Sequence, residues 1–303
     1  MCIRDSLYNV FIAHEGHKKN VEGIRAVERT MATTRVRPNA ATHGARVAAY
    51  CRCGDVESAA RALESGRADS DASRRPTVRA YTALVQAYAS DGNVEAIDKT
   101  LEMMRNDGVE PNCHTYTVAV NGLVERGDAR LTLEAERFVR DMRVAGIEPS
   151  AVTYNCLLKG VLRTDFDTIE SGVRRSKNGF ERAERVVEEM RAFGVSPTVV
   201  TYNTLIDACV SRGEPAESMF KVLSALVRDG HRPDVVTYTT LLKHFGKRGD
   251  VVAARWLMRE MEADANVRVD ASAVNALVDA LCRGGRTREA TEVARANPSS
   301  SAP

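Results

Sequence analysis

The sequence predicts an all-α fold, a right-handed α-solenoid in which about eight helix-turn-helix units are stacked. Two observations lead to this prediction. The stretch VVTYNTLIDAC at 199–209 returns as VVTYTTLLKHF at 235–245, 36 residues further on. A proline followed by Asn, Thr, Ser or Asp also recurs along the chain at a similar spacing. Internal periods of about 20–50 residues are typical of solenoids, in which each unit buries its apolar face against its neighbours.

The recurring proline pairs set the boundaries of the units. They are Pro38-Asn39, Pro76-Thr77, Pro111-Asn112, Pro149-Ser150, Pro197-Thr198 and Pro233-Asp234, and Val269-Asp270 takes the seventh place. The predicted array covers residues 5–297, in the units 5–39, 40–77, 78–112, 113–150, 151–198, 199–234, 235–270 and 271–297. Residues 1–4 are predicted to be a non-repeat, truncated start, and residues 298–303 a disordered tail by composition.

Each unit is predicted to hold two helices, as unit 199–234 illustrates. Its first helix runs from about Val200 to Val210, with Tyr202, Leu205, Ile206 and Cys209 on one apolar face. Its second helix runs from about Ala216 to Arg228. Glycines are predicted to end the helices. After the first helix these are Gly54, Gly92, Gly127, Gly213, Gly249 and Gly285, and after the second they are Gly108, Gly146, Gly194 and Gly230.

Two units depart from the pattern. Unit 40–77 has His43 where most units have Tyr, and it leaves its second helix through the polar stretch GRADSDASRRPT. Unit 151–198 carries extra residues near 164–178, which composition predicts to be a surface loop. The basic run at 174–177 within them is typical of a solvated surface, with a phosphate contact or a targeting signal as the alternative.

Composition limits the classes of function. The chain has 303 residues, with 43 basic and 41 acidic ones and a formal net charge of +2. It is therefore no polycation, and any nucleic-acid site must be a local one. No apolar run reaches the roughly 18 residues of a membrane helix, so no membrane association is predicted.

The repeat resembles the pentatricopeptide repeat. The resemblance is carried by VVTYNTLID at 199–207, by the EEM at 188–190 near the end of a second helix, and by the closing G-x-x-P-D of Gly230–Asp234. It covers residues 5 to about 297, and it is strongest in the five units between 78 and 270. The tetratricopeptide repeat has a similar period, but its W-x-x-L-G-x-x-Y signature is missing from every unit.

The resemblance implies that each unit reads one base of single-stranded RNA through its fifth and last residues. The fifth residues are Asn9, Thr82, Thr117, Asn155, Asn203, Thr239 and Asn275, with Gly44 in unit 40–77. The last residues are Asn39, Asn112, Ser150, Thr198, Asp234 and Asp270, with Thr77 in unit 40–77. Asn and Thr are poor helix formers, so their recurrence inside a helix favours a selected amide or hydroxyl. For the last residues, helix capping is an equally good alternative, because all of them precede a helix.

The family's code turns these pairs into bases. Asn203 with Asp234 resembles a uracil reader, Thr239 with Asp270 a guanine reader, and Thr82 with Asn112 an adenine reader. The remaining units imply only pyrimidine or purine, and Gly44 with Thr77 implies no base. The resulting hypothesis is the sequence 5′-Y-n-A-R-Y-U-G-Y, in which the last letter rests on Asn275 alone.

Two further sets of residues complete the predicted interface. The second residue of a unit shares a helix face with the fifth and, in the family, packs against the base. These residues are Arg79, His114, Val152, Val200 and Val236. Basic residues near the end of the first helix would contact phosphates, or would only favour the helix dipole. They are Arg52, Arg126, Arg163, Arg212, Lys247, Arg248 and Arg283.

No enzyme is predicted. The six histidines lack the H-x-E and P-C-x-x-C context of a zinc deaminase, and there is no Walker loop or G-x-S-x-G motif. No catalytic residue, metal, cofactor or small-molecule substrate is therefore expected. The predicted partner is single-stranded RNA, which the resemblance makes an organellar transcript in the chloroplast or mitochondrion; protein partners are also possible. The alternatives are a protein-binding helical scaffold and the repeat portion of a larger RNA-processing enzyme.

Overall fold

The computed structural model describes residues 3–164, 166–170, 173–177, 179–264 and 267–296; for 3–5, 166–170 and 173–177 it describes the backbone alone. These residues contain sixteen α-helices and two short strands. The helices are α1 Ile3–His17, α2 Val21–Thr33, α3 Ala40–Cys53, α4 Val56–Arg67, α5 Val78–Asp91, α6 Val94–Asn106, α7 Cys113–Glu125, α8 Ala129–Val144, α9 Ala151–Arg163, α10 Gly179–Ala192, α11 Val199–Arg212, α12 Ala216–Arg228, α13 Val235–Arg248, α14 Val251–Ala263, α15 Ala271–Arg283 and α16 Thr287–Ala296.

Two of these helices fall in each predicted unit, so the all-α repeat architecture is confirmed. The ten glycines predicted to end helices all have left-handed backbones, with φ between 67° and 82°. A side chain is strained at such angles, which explains why glycine recurs at these turns. The predicted tail, 298–303, lies outside the described residues.

The chain divides into two compact blocks. The N-terminal block, Met1–Thr164, contains α1 to α9, and the C-terminal block, Asp165–Pro303, contains α10 to α16. Within each block the first helix of one unit packs on the first helix of the next, as in α1–α3, α5–α7 and α13–α15. Some of these helices approach closely: a Cβ on Gly122 of α7 would lie 2.6 Å from the Cβ of Ala89 on α5.

A tyrosine at the fourth place of most units anchors the core. Tyr81, Tyr116, Tyr154 and Tyr202 are all fully buried. Large aromatic side chains supply much of the apolar area that such a thin, two-helix layer can bury. Their burial fixes the rotation of the first helix, and therefore the direction in which its second and fifth residues point.

In the N-terminal block a polar cluster ties three consecutive helices together around one of these tyrosines. Arg67 at the end of α4 donates through Nη2 to Oδ1 of Asp107 at 3.0 Å, and the Tyr81 hydroxyl donates to Oδ2 of the same carboxylate. The hydrogen bond from Arg67 is the main reason that the pKa of Asp107 lies below its ordinary value. The cluster therefore joins successive repeats with a charge-assisted contact.

The C-terminal block repeats this cluster with different residues. Arg191 of α10 donates through Nη2 to the Tyr202 hydroxyl at 2.8 Å and to Oδ2 of Asp229 at 2.7 Å, and Tyr202 in turn donates to Asp229. Hydrogen bonds from Tyr202 and then Arg191 hold the pKa of Asp229 below its ordinary value. The same cluster of Arg, Tyr and Asp thus joins two different pairs of neighbouring units.

The insertion in unit 151–198 differs from the surface loop that composition predicted. Its backbone forms two antiparallel strands, β1 Phe166–Glu170 and β2 Val173–Lys177, paired from Phe166 with Lys177 to Glu170 with Val173. Only two residues separate the strands, which is the spacing of a tight hairpin. Short strands of mixed composition give a weak sequence signal, which is why the loop prediction was wrong here. The side chains of the basic run 174–177 lie outside the description.

Unit 40–77 departs from the other units in its core as well as in its sequence. His43 takes the place of the anchoring tyrosine and is buried, but neither ring nitrogen has a hydrogen-bond partner among the described residues. The polar exit from its second helix is not wholly irregular, since Ala72–Arg74 forms one turn of 3₁₀ helix capped by Asp71. The unit keeps the fold of the repeat while losing its usual tyrosine.

Candidate nucleic-acid interface

The second residues of the units lie on an exposed helix face. Val152, Val200 and Val236, at the starts of α9, α11 and α13, have 61%, 56% and 56% of their surface in solvent. Arg79 and His114 are exposed at the equivalent places of α5 and α7. An apolar β-branched side chain in solvent gains nothing from the fold, so its recurrence at one place favours a contact with something outside the chain.

The fifth residues lie one helical turn further on and are less accessible. Thr82, Asn155 and Thr239 are buried, whereas Thr117 and Asn203 are half-buried. Asn9 on α1 is half-buried as well, and its Oδ1 has no hydrogen-bond partner among the described residues. Asn275 on α15 is exposed. Accessibility at this place therefore varies from unit to unit, although the residue type hardly does.

In the N-terminal block a threonine hydroxyl joins the fifth and last residues of a unit. Thr115 is the third residue of α7, and its hydroxyl donates to Oδ1 of Asn112 at 3.0 Å. An amide oxygen only accepts, so the Thr115 hydroxyl uses its single proton on Asn112. The Thr82 hydroxyl, whose Oγ1 lies 2.9 Å from Oγ1 of Thr115, must therefore donate to Thr115. Both predicted reading residues of unit 78–112 are therefore held by the helix that follows.

The next unit has the same arrangement. Thr153 in α9 lies 2.7 Å from Oγ1 of Thr117 and 3.1 Å from Oγ of Ser150. Thr117 and Ser150 are the fifth and last residues of unit 113–150. The shared hydroxyl again belongs to the third residue of the following helix.

In unit 199–234 the two residues also contact each other directly. Asn203 donates through Nδ2 to Oδ1 of Asp234 at 3.1 Å. The hydroxyl of Thr237 lies 2.6 Å from Oδ1 of Asn203 and 2.9 Å from Oδ1 of Asp234, and donates its single proton between them. The pair predicted to read uracil is therefore one preorganised polar cluster.

Asp234 is ionised within this cluster. Burial raises its pKa, but the hydrogen bonds from the Thr237 backbone and from the side chains of Asn203 and Thr237 outweigh burial and hold the pKa below its ordinary value. All the side-chain bonds described above end on Oδ1, and Oδ2 takes part in none of them. Oδ2 of this exposed carboxylate thus keeps its capacity to accept a further hydrogen bond.

Unit 235–270 lacks the shared hydroxyl, because the third residue of α15 is Ala273. Thr239 donates instead to the Val235 carbonyl of its own helix at 2.7 Å, and Asp270 accepts from the backbone N–H of Ala273 at 2.8 Å. The pair predicted to read guanine is therefore present without the link that fixes it in the preceding unit.

Helix capping by the last residues is confirmed. Six of the seven accept a backbone N–H from the third residue of the following helix: Asn39, Asn112, Ser150, Thr198, Asp234 and Asp270. Thr77 makes no side-chain cap bond. Capping alone accounts for their type, so any base contact must use the acceptor capacity that remains after capping.

The predicted phosphate-binding cations fall into two groups. Arg126 donates through Nη1 to the Ser90 carbonyl at 2.7 Å, in the last turn of the preceding first helix, α5. Arg248 lies 3.4 Å from His244 Nε2, and Arg283 pairs with Asp279. Arg212 is half-buried and is engaged within the fold. Arg52, Arg163 and Lys247 form the last group: they are exposed and make no hydrogen bond or ion pair with any described residue. This last group is the one available to an external phosphate.

Sequence reasoning missed the threonines at the third place of five units. Thr115, Thr153 and Thr237 complete capping boxes and hold the fifth residue of the preceding unit. The signal was present, since Thr also occupies this place at Thr42 and Thr201.

Among the described residues, none of the helices has the length and apolar character of a membrane span.

Comparison with protein families identifies the repeat. A model of the pentatricopeptide repeat family matches residues 76–125 and 233–283, and a pentatricopeptide repeat domain model matches residues 168–212. No curated protein matches the sequence of the chain. The matched segments fall in both blocks.

Solved structures have the same fold. The maize pentatricopeptide repeat protein PPR10 superposes with a TM-score of 0.72 at 24% identity over 98% of this chain and 39% of PPR10. Yeast Rmd9p, solved in complex with a 16-nt target RNA, superposes with a TM-score of 0.50 at 10% identity over 91% of this chain and 62% of Rmd9p. The chain thus spans about two fifths of the length of PPR10. With its repeat period, its tyrosine-anchored helix pairs and the family-model matches, the chain contains pentatricopeptide repeats.

Proposed function

We propose that this chain binds single-stranded RNA sequence-specifically, one base per repeat, and acts in organellar RNA processing, stability or translation. The observation that carries the proposal is the cluster of Asn203, Asp234 and Thr237, with Val200 exposed on the same helix face. It places a fixed amide and an ionised carboxylate beside an apolar side chain on which a base can pack. This combination of edge contacts and packing is what base recognition in single strands requires.

The relatives are consistent with this function. Maize PPR10 has been solved in complex with an 18-nt psaJ RNA element, and yeast Rmd9p with a 16-nt target RNA. By extension we propose an organellar transcript as the target, in the chloroplast or the mitochondrion. We propose a non-catalytic mode of action, in which the bound protein blocks nucleases, remodels the RNA or presents a site to a protein partner.

The test is selection from a randomised single-stranded RNA pool with the purified chain and with Asn203→Thr. The wild type should enrich a motif with the spacing A-n-n-U-G. The variant should shift the U position toward G, since its fifth and last residues then match Thr239 and Asp270. Each base contact discriminates by only a few kcal/mol, so the shift should be a change of preference rather than a loss of binding.

Asn121→Thr is the matched control, because it makes the same chemical change in α7 at a place predicted to read no base. Asn121 donates to Glu125 in its own helix. The enriched motif should be unchanged in this variant. RNA binding without sequence preference, or an identical motif for wild type and Asn203→Thr, would exclude base reading by the fifth residue.

A further inference from the structure

A second anomaly of unit 40–77 lies at the seventh place of its first helix. In the other seven units this residue is apolar: Phe11, Leu84, Ala119, Leu157, Leu205, Leu241 and Leu277. In unit 40–77 it is Arg46, whose side chain is largely buried, with 16% of its surface in solvent. Burying a guanidinium where a leucine would pack is costly unless it is paired or used.

Arg46 lies in a cleft between α2, α3 and α4, which we call the arginine cleft. The cleft has a volume of about 640 Å³, and it is lined by four arginines, one carboxylate, a tyrosine, a serine and two alanines. The polar lining residues are Arg25, Arg29, Arg46, Arg61, Glu28, Tyr50 and Ser58. Four guanidinium groups from three helices therefore converge on one space.

The acidic partners of these arginines are already engaged. Glu28 accepts from Nε of Arg46 at 2.6 Å and from the Tyr50 hydroxyl at 3.0 Å. Burial and the Glu28 carboxylate raise the pKa of Tyr50 to about 12, so the hydroxyl keeps its proton and donates. Asp55 lies outside the cleft and pairs with Arg25 at 3.5 Å.

The other two arginines make no ion pair with a described residue, although the charge of Arg61 acts on Asp55 at longer range. Arg61 donates through Nη2 to Oγ of Ser58 at 3.2 Å, which is a neutral partner. Arg29 makes no ion pair with any described residue. Glu22 and Glu57 lie on α2 and α4 but do not line the cleft. The cleft therefore has an excess of positive charge even after Glu28 and Asp55 are counted.

The arginine cleft is remote from the proposed base-reading face. At about 100° per residue, Arg46 and Tyr50 lie about 200° and 240° around α3 from Gly44, the fifth residue of the unit. The cleft thus opens on the opposite side of the helix. Unit 40–77 has Gly44 in place of a reading side chain, so the unit that lacks a reader is the one with the arginine cleft.

We propose that the arginine cleft binds a phosphate-bearing ligand. Planar guanidinium groups recognise phosphate by paired, charge-assisted hydrogen bonds, and Arg29 and Arg61 have donors to spare. The bonds from Arg46 and Tyr50 to Glu28 fix the floor of the cleft, so little reorganisation accompanies binding. The ligand is either a small phosphate compound or a phosphate of an RNA that passes the outer side of the unit.

Calorimetric titration with inorganic pyrophosphate at about 50 mM salt tests the proposal, because screening is weak there. The wild type should bind saturably. The double variant Arg29→Gln/Arg61→Gln should bind about ten-fold more weakly or worse, as the loss of two charge-assisted bonds predicts. Both residues are exposed, so the helical circular dichroism spectrum should be unchanged. Arg259→Gln, an exposed arginine on α14, should bind like the wild type.

RNA binding by the same variants identifies the source of the phosphate. If pyrophosphate displaces a single-stranded RNA and the double variant weakens RNA binding, the cleft takes an RNA phosphate. If RNA binding is unchanged, the cleft takes a small ligand. No saturable pyrophosphate binding, or equal weakening by Arg259→Gln, overturns the proposal. Both overturning results leave the base preference set by Asn203 untouched, so the proposed function is tested separately.

Discussion

At the scale of single residues, Gly44 is the place where the predicted code is silent. A Cβ built there meets nothing within 4 Å, so a side chain fits without rearrangement. Gly44→Ala should raise the free energy of unfolding by about 0.5–1 kcal/mol, because glycine inside a helix loses more backbone entropy on folding. Urea unfolding monitored by circular dichroism measures this difference.

Gly44→Asn should in addition give the second repeat a base preference. With Thr77 it reproduces the fifth and last residues of unit 151–198, which imply a pyrimidine. RNA selection should then specify a pyrimidine at the second place, where the wild type and Gly44→Ala specify none. A motif that stays open at that place in the Asn variant would mean that the fifth residue does not act alone.

His43 is the second residue-scale case, because it is buried with no hydrogen-bond partner among the described residues. Burial and then the charge of Arg46 lower its pKa, while Asp69 opposes them. The unfolded chain therefore binds a proton below about pH 6.5 that the folded chain excludes. Stability should fall as the pH drops through this range, by up to about 1.4 kcal/mol per pH unit.

Urea unfolding at pH 7.5 and pH 5.5 checks this prediction. His43→Gln cannot take up the proton, so its stability should change less between the two pH values than that of the wild type. His114→Gln, at an exposed place, should follow the wild type. An equal loss of stability in His43→Gln would assign the pH dependence to other groups, such as the buried His244, whose pKa is also lowered by burial.

At the scale of helices, the clusters of Arg, Tyr and Asp should determine how firmly successive repeats are joined. Tyr202→Phe removes the hydroxyl that donates to Asp229 and accepts from Arg191. It should lower the free energy of unfolding by about 1–2 kcal/mol, since bonds to charged groups are the stronger ones. Tyr238, in the same block, makes no hydrogen bond through its hydroxyl with any described residue. The free energy of unfolding of Tyr238→Phe should therefore stay within about 0.5 kcal/mol of that of the wild type. Equal losses of stability in Tyr202→Phe and Tyr238→Phe would assign the effect to packing.

The helix pairs were predictable from sequence because their signals are local. Apolar periodicity and the glycine stops predicted two helices in each unit, and α11 extends only one or two residues beyond the predicted 200–210 at each end. The hairpin at 166–177 was missed because five-residue strands contain little periodicity. The shared threonines were missed for another reason: Thr115 bonds to Thr82, 33 residues away, and no local pattern reveals such a contact.

At the scale of the whole molecule, a net charge of only +2 means that RNA affinity must come from a few local cations. For single strands the logarithm of the affinity falls with the logarithm of the salt concentration by about 0.7 per phosphate contact. Lys247 is exposed and makes no ion pair with any described residue, so Lys247→Gln should reduce the slope by about 0.7. It should weaken binding equally for all sequences, because phosphate contacts carry no base information.

Arg126→Gln is the matched control for this prediction. The Arg126 guanidinium donates to the Ser90 carbonyl and shares a pocket with the carboxylates of Asp91, Asp128 and Glu134. It should therefore contribute little to the salt dependence, even though it occupies a similar place in its unit. Titrations of labelled RNA over about 50–300 mM salt measure both slopes. If Lys247→Gln and Arg126→Gln lower the slope equally, the basic residue at the end of the first helix contacts phosphate even where it also bonds within the protein. If neither does, the phosphate path lies away from these helix ends, and the exposed second residues with the fifth and last residues would have to supply the affinity.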